Sequence, residues 1–191
     1  MKIIEDRSRN AAFLSRNLHL PSADLLFSLV SHNVFRAFLS NFELLGFNHN
    51  QFSCEESQSP FNKGASGEHL PPNFKPTAIQ RKVYHHPVFD ACPDPRLRER
   101  IIMWQITHED DDLCLILTGG SDTHGEVPQG LMVWGEPNRI DSWEVTESFS
   151  RKWWFLLSGC NELIQSSNRW RATRGEGPLT IKRASTQPTG I

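Results

Sequence analysis

The stretch TESFSRKWWFLLSGCNELIQSSNRWR, residues 146–171, decides the fold class of this chain. Within it Phe149, Trp153, Leu156, Cys160, Leu163, Ser167 and Trp170 follow one another at steps of four and three. That is a period of 3.5, the signature of a helix, whereas a strand alternates every second residue. Thr146, or Ser142 before it, is placed to cap such a helix, because a hydroxyl accepts one of the amide hydrogens that a first turn leaves unpaired. The spacing predicts one helix running to about Arg171. A coiled coil has the same period, but this seam holds Cys160, Ser167 and two tryptophans in place of repeated leucines, which suits a core helix of a globular bundle better.

Outward from this stretch the helical signal recurs. From Ser22 to Gly46, Leu26, Val30, Val34, Phe38, Phe42 and Leu45 lie at helical spacing, and Leu29 and Ala37 widen the stripe. Pro21 and Ser22 supply a start and Gly46 the left-handed residue that ends it. This face is expected to pack in the domain's own core, with a groove for a partner helix as the alternative. Residues 47–77 are rich in Asn, Gln, Ser, Gly and Pro, and Pro60, Pro71, Pro72 and Pro76 block a continuous helix. They read as an irregular, partly disordered linker, laid over the surface through Phe52, Phe61 and Phe74.

A second ordered block begins near Ile79. Asp94-Pro95 is a helix start, followed by Leu97, Ile101, Trp104 and Gln105 at three or four residues. Asp110, Asp111 and Asp112 precede a short helix over Leu113 to Leu117 that closes at Gly119-Gly120, and after the loop 121–129 Leu131, Val133 and Trp134 alternate as an extended segment. All six tryptophans fall between Trp104 and Trp170, which predicts that they mark the dense core. The expected organisation is an N-terminal arm 1–21, an amphipathic helix 22–46, a linker 47–77, a helical core block 78–175 and a flexible tail 176–191. The expected fold is mainly α: a single helical domain with a long irregular linker and at most a short extended segment.

Length and composition agree with one domain. The 191 residues are too few for two full-sized domains, and 38% apolar residues, about 44% with the glycines, fall just under the usual globular share. A net charge of −2 sets up no global field toward nucleic acid or membrane. Cys54, Cys92, Cys114 and Cys160 are too scattered for CxxC zinc pairs or a disulfide scaffold and read as reduced thiols of an intracellular, nuclear or cytoplasmic protein. Apolar runs are too short to span a bilayer and no signal-peptide core precedes them, so a soluble protein without membrane partners is expected. The oligomeric state is left open.

Enzyme signatures fail on named residues. His108-Glu109 begins like HExxH, but Asp112 stands where the second imidazole is needed. Gly130 to Gly135 has phosphate-loop spacing, yet Glu136 replaces the lysine that neutralises phosphate. No GxSxG elbow occurs. The best remaining constellation is His85-His86-Pro87 with Asp90 and Cys92. A structural role is expected, one imidazole capping a helix or bonding Asp90, with metal binding and a ligand pocket as alternatives, because adjacent side chains of an extended segment point apart. No metal and no cofactor is assigned.

Nucleic acid contact has to be local. Five cations against Glu176 give the last 23 residues a net +4 and leave −6 on the first 168. Arg9-Asn10-Ala11-Ala12 with Ser15-Arg16 is similar to a bZIP basic region, but Leu18 stands where an arginine is expected and Pro21 breaks the helix before any zipper. Sequence-specific DNA binding by this chain alone is not expected.

Several segments together resemble a known family. They are Val83-Tyr84-His85-His86-Pro87-Val88-Phe89-Asp90, Pro95-Arg96-Leu97-Arg98, Asp111-Asp112-Leu113-Cys114, Val133-Trp134-Gly135-Glu136-Pro137, Trp143-Glu144-Val145, Phe149 with Arg151-Lys152-Trp153, and Asn168-Arg169-Trp170-Arg171, with Asn33 to Ala37 before them. The chain resembles a domain of unknown function of filamentous fungi, commonly found C-terminal to the bZIP region of transcription factors, over nearly residues 20 to 180. The resemblance implies a regulatory association, in some members near secondary-metabolite gene clusters. Two departures stand out: Val88 replaces a frequent tryptophan, and Asn138 stands where an aromatic is common. The reading is a non-catalytic regulatory or interaction domain that acts through a protein partner. The alternative is a small-molecule sensor or enzyme with His85, His86, Asp90, Trp134, Glu136 and Trp143 around one tryptophan-lined cleft.

Overall fold

The computed structural model describes residues 23–48, 50–53, 56–108, 111–120, 129–179 and 181. The arm 1–21 with its basic motif, the Ser22 cap, Cys54, Asp110, residues 121–128 of the loop and the tail from 182 lie outside the described residues. The chain is mainly helical, with one two-stranded antiparallel sheet, and among the described residues no helix is long and apolar enough to cross a membrane.

Helix α1, Ala23–Leu44, buries Val34, Ala37, Phe38, Asn41 and Phe42 along one face, as helical spacing requires, and Leu45 just past its end is buried as well. Leu29, expected on that stripe, is instead 46% exposed. The helix ends as its chemistry dictates. Gly46 adopts φ +72, its N–H donates to Glu43 O and that of Phe47 to Phe42 O, and the rings of Phe42 and Phe47 meet edge to face at 5.3 Å.

Residues 47–77 are irregular but not superficial. Around helix α2, Asn50–Ser53, and two 3-10 turns, Pro60–Lys63 and Pro72–Phe74, they send Phe47, Phe61, Leu70 and Phe74 into the core, so Phe61 and Phe74 anchor the segment in the interior. Each ring found an apolar contact that no local period announces, Phe47 packing on Phe61 at 5.3 Å. Helix α3, Ala78–Lys82, opens on a capping box in which the Thr77 hydroxyl accepts from Gln80 N and the Gln80 side chain accepts from Thr77 N. Helix α4, Pro95–Gln105, starts as expected: Asp94 Oδ1 accepts from the amides of Arg96 and Leu97 at 2.8 and 2.9 Å. Helix α5, Asp111–Leu117, closes at Gly119, where a Cβ would lie 2.6 Å from Ser31 O of α1.

Strands β1, Leu131–Val133, and β2, Trp143–Val145, pair with Met132 opposite Glu144. The outer edge of β2 meets side chains instead of a third strand: Ser166 Oγ donates to Trp143 O at 2.7 Å, and Val145 N donates to Ser167 Oγ at 2.9 Å.

The long helix expected over 146–171 is two helices. Thr146 does cap the first, α6, Glu147–Lys152, by accepting from Phe149 N. A 3-10 turn, Trp154–Leu157, then leads through Gly159 at φ +88 into α7, Asn161–Thr173. Phe149, Trp153, Leu156, Cys160, Leu163 and Ser167 are nevertheless all buried, so the 3.5-residue period is that of a path bent around one core and not of a straight seam. The tryptophans divide: Trp143 and Trp153 are buried, Trp104, Trp154 and Trp170 half-buried, and Trp134 is exposed. After α7 the chain folds back, with Arg171 Nε donating to Gly177 O and Leu179 N to Asn168 Oδ1.

Candidate functional site

The histidine motif sits where four segments cross. His86 caps the 3-10 turn Pro87–Ala91, its Nδ1 accepting from Val88 N, and this turn presents Asp90 inward. Asp90 Oδ1 lies 2.8 Å from His85 Nε2 and accepts from Gln80 Nε2 at 2.6 Å, while Oδ2 accepts from Ser59 Oγ at 2.6 Å. His85 Nδ1 faces Val83 O at 2.7 Å, so both ring nitrogens meet oxygens. Gln80 passes the network on, its Oε1 accepting from Arg98 Nε at 3.1 Å. Arg98 also donates to Cys92 O and Asn73 O, both at 2.7 Å, and to Lys75 O at 3.5 Å, and lies over the Phe74 ring at 5.7 Å.

Ser59, Gln80, His85, Asp90 and Arg98 are all at most 1% exposed. Burial pulls the Arg98 guanidinium below its usual value, and its acidic neighbours, Asp90 and Asp94 among them, act against that shift. Serine, histidine and aspartate stand together here, but the carboxylate is the hub: Ser59 and His85 each bond to Asp90, on different oxygens. Acyl transfer needs the histidine between the other two and a path for substrate. The arrangement ties three consecutive segments, α3, the histidine turn and α4, to one another and to Ser59 some thirty residues away as a fully satisfied buried network.

Nearby thiols are correspondingly quiet. Burial, with Asp94 next, pushes the Cys92 thiol up to about 12, and burial also raises that of Cys160. Among the described residues no group of three or more His, Cys, Asp and Glu side chains is arranged to hold a metal ion.

The remaining candidates belong to the sheet. Trp143 is buried against Phe38 of α1, ring centroids 5.5 Å apart, and its Nε1 donates to Pro137 O at 2.8 Å. Asn41 of α1 donates to the same Pro137 O and to Ala91 O, both at 2.9 Å, and Asn73 Nδ2 joins Pro93 O to Asn138 O. Two side-chain amides thus bring the histidine turn beside the Trp134–Pro137 turn. Trp134 and Glu136 themselves are exposed, whereas His85, Asp90 and Trp143 are sealed, so the six candidates do not line one cleft.

Glu144 was not singled out from sequence, yet it organises this side of the molecule. The side chain of this strand residue is 1% exposed; it accepts from Trp134 Nε1 at 2.7 Å and from both terminal nitrogens of Arg174. The paired carboxylates raise the Arg174 guanidinium above its usual value, and Arg174 in turn lowers that of Glu176. Its sequence signal was Trp143-Glu144-Val145, a carboxylate between two apolar strand residues, which leaves the partner thirty residues away unnamed.

The fold and its interior define a small helical domain built round a buried His–Asp–Gln–Arg network. Residues 58–165, more than half of the chain, match the Domain of unknown function (DUF3425), and the chain belongs to that family. No curated protein and no solved structure matches the chain. Asn41 and Arg174 lie outside the matched stretch, so α1 and the end of α7 complete the packing of the family region from either side.

Proposed function

We propose that this protein is a non-catalytic regulatory domain that works by binding another protein, within a fungal bZIP-associated family of transcription regulators. One observation carries the reading: of the residues with chemical potential in the family motifs, His85, Asp90 and Arg98 are consumed inside the fold, while Trp134 is held at the surface. Buried, fully bonded groups serve architecture; exposed aromatics are the usual anchors of interfaces. DNA contact then belongs to the partner, and the site of action is the nucleus or cytoplasm. The test is affinity capture of the full chain from the cells that make it, with proteins and small molecules both identified by mass spectrometry. A stoichiometric protein partner is expected. A stoichiometric small molecule, or a DNA motif enriched by the pure chain at physiological salt, overturns the reading.

A further inference from the structure

Trp134 is a solvent-facing tryptophan that cannot turn. Its Nε1 is tied to the buried Glu144 at 2.7 Å, Trp170 stacks on it with centroids 5.8 Å apart at 28°, and the Arg174 guanidinium lies 5.3 Å from its ring. Trp170 and Arg174 stand four residues apart at the end of α7, so both reach the indole from that one helix. The residue is still 43% exposed, which leaves part of its indole open to solvent. Two positions on, the exposed Glu136 side chain makes no hydrogen bond or ion pair among the described residues; Arg139, whose N–H donates to Glu136 O and whose charge feels the Glu136 carboxylate, forks instead onto Asp141 at 3.0 and 2.6 Å.

We infer that the solvent-open part of the Trp134 indole and the carboxylate of Glu136 form the docking site for an arginine side chain of the partner protein. The inference rests on the interaction reading above and supplies its chemistry. A guanidinium is planar and weakly hydrated, stacks on an indole and pairs with a carboxylate at the same time. A purely apolar partner would bury Glu136 without a counter-charge, and a phosphate or carboxylate would meet it at like sign. Because Glu144, Trp170 and Arg174 already hold the indole, binding costs little side-chain entropy there.

The test is a titration of the full chain, its tryptophan indoles labelled with nitrogen-15, with acetyl-Gly-Arg-Gly-Arg-Gly-amide and with the same peptide carrying uncharged citrulline. The Trp134 indole signal, identified by its loss in Trp134→Phe, should shift saturably with the arginine peptide. Affinity should fall about threefold or more with citrulline and in Glu136→Gln, an exposed substitution that leaves the fold intact. No shift at Trp134, equal binding of the citrulline peptide, or unchanged affinity in Glu136→Gln overturns the site. A captured partner that binds wild type and Glu136→Gln alike also overturns it, while leaving the interaction reading in place.

Discussion

The Nε2 atom of His85 lies 2.8 Å from Oδ1 of Asp90, and neither side chain reaches solvent. Around this pair Ser59, Gln80 and Arg98 complete a network whose members come from the 3-10 turn region, α3, the histidine turn and α4. Its geometry is that of a rivet, fastening the irregular stretch at Ser59 and the histidine turn to helices α3 and α4.

Asp90→Asn is expected to lower stability by about 3–5 kcal/mol, the usual consequence of removing one partner from a buried charged group. The amide keeps the volume but turns a donor toward donors on His85, Gln80 or Ser59. Urea denaturation measures it, and an unchanged midpoint would show that the network contributes nothing.

Phe38→Ala should cost about 3–5 kcal/mol by leaving a cavity against Trp143. Thermal melting gives the answer: a melting temperature equal to wild type would make α1 an appendage instead of a wall of the core.

Gly130 and Gly177 make a paired test of backbone crowding. A Cβ at Gly130 would sit 2.0 Å from Ile116 O, so Gly130→Ala must displace backbone and should destabilise by about 1–3 kcal/mol or more. At Gly177 a Cβ meets nothing within 4 Å and φ is not positive, so Gly177→Ala should be neutral or slightly stabilising. Equal melting temperatures for the two variants would contradict the packing at Gly130.

The thiols predict an alkaline limb of stability. Cys92 is raised from 9.0 to about 12 in the folded chain, and Cys160 is raised as well, so the unfolded state loses these protons first. Their contribution is therefore complete below pH about 9 and is lost as pH climbs toward the folded value. The urea midpoint should fall as pH rises above about 9, and a thiol reagent at neutral pH should reach half-buried Cys114 well before Cys92 or Cys160. Rapid native-state labelling of Cys92 would contradict its burial.

Much of the secondary structure was legible because its causes lie within four residues. Asp94 caps α4, Thr146 caps α6 and Gly46 ends α1 through contacts their immediate neighbours define. The seam from Phe149 to Ser167 named the right core residues and the wrong shape, since a period of 3.5 reports which side chains face inward and not whether the backbone bends at Gly159 on the way.

By itself the amino-acid sequence determined the helical class, the starts of α4 and α6, the apolar face of α1 and the family motifs. Only the tertiary structure decided that Phe61 and Phe74 enter the core, that Arg98 is buried while Trp134 is not, and that Glu144 answers Arg174. The physical reason is range. A cap is settled by a hydrogen bond across two or three residues, whereas the fate of a buried charge depends on acceptors such as Gln80 Oε1, Asn73 O and Cys92 O, which lie up to 25 positions from Arg98 and meet it only when the whole chain has packed.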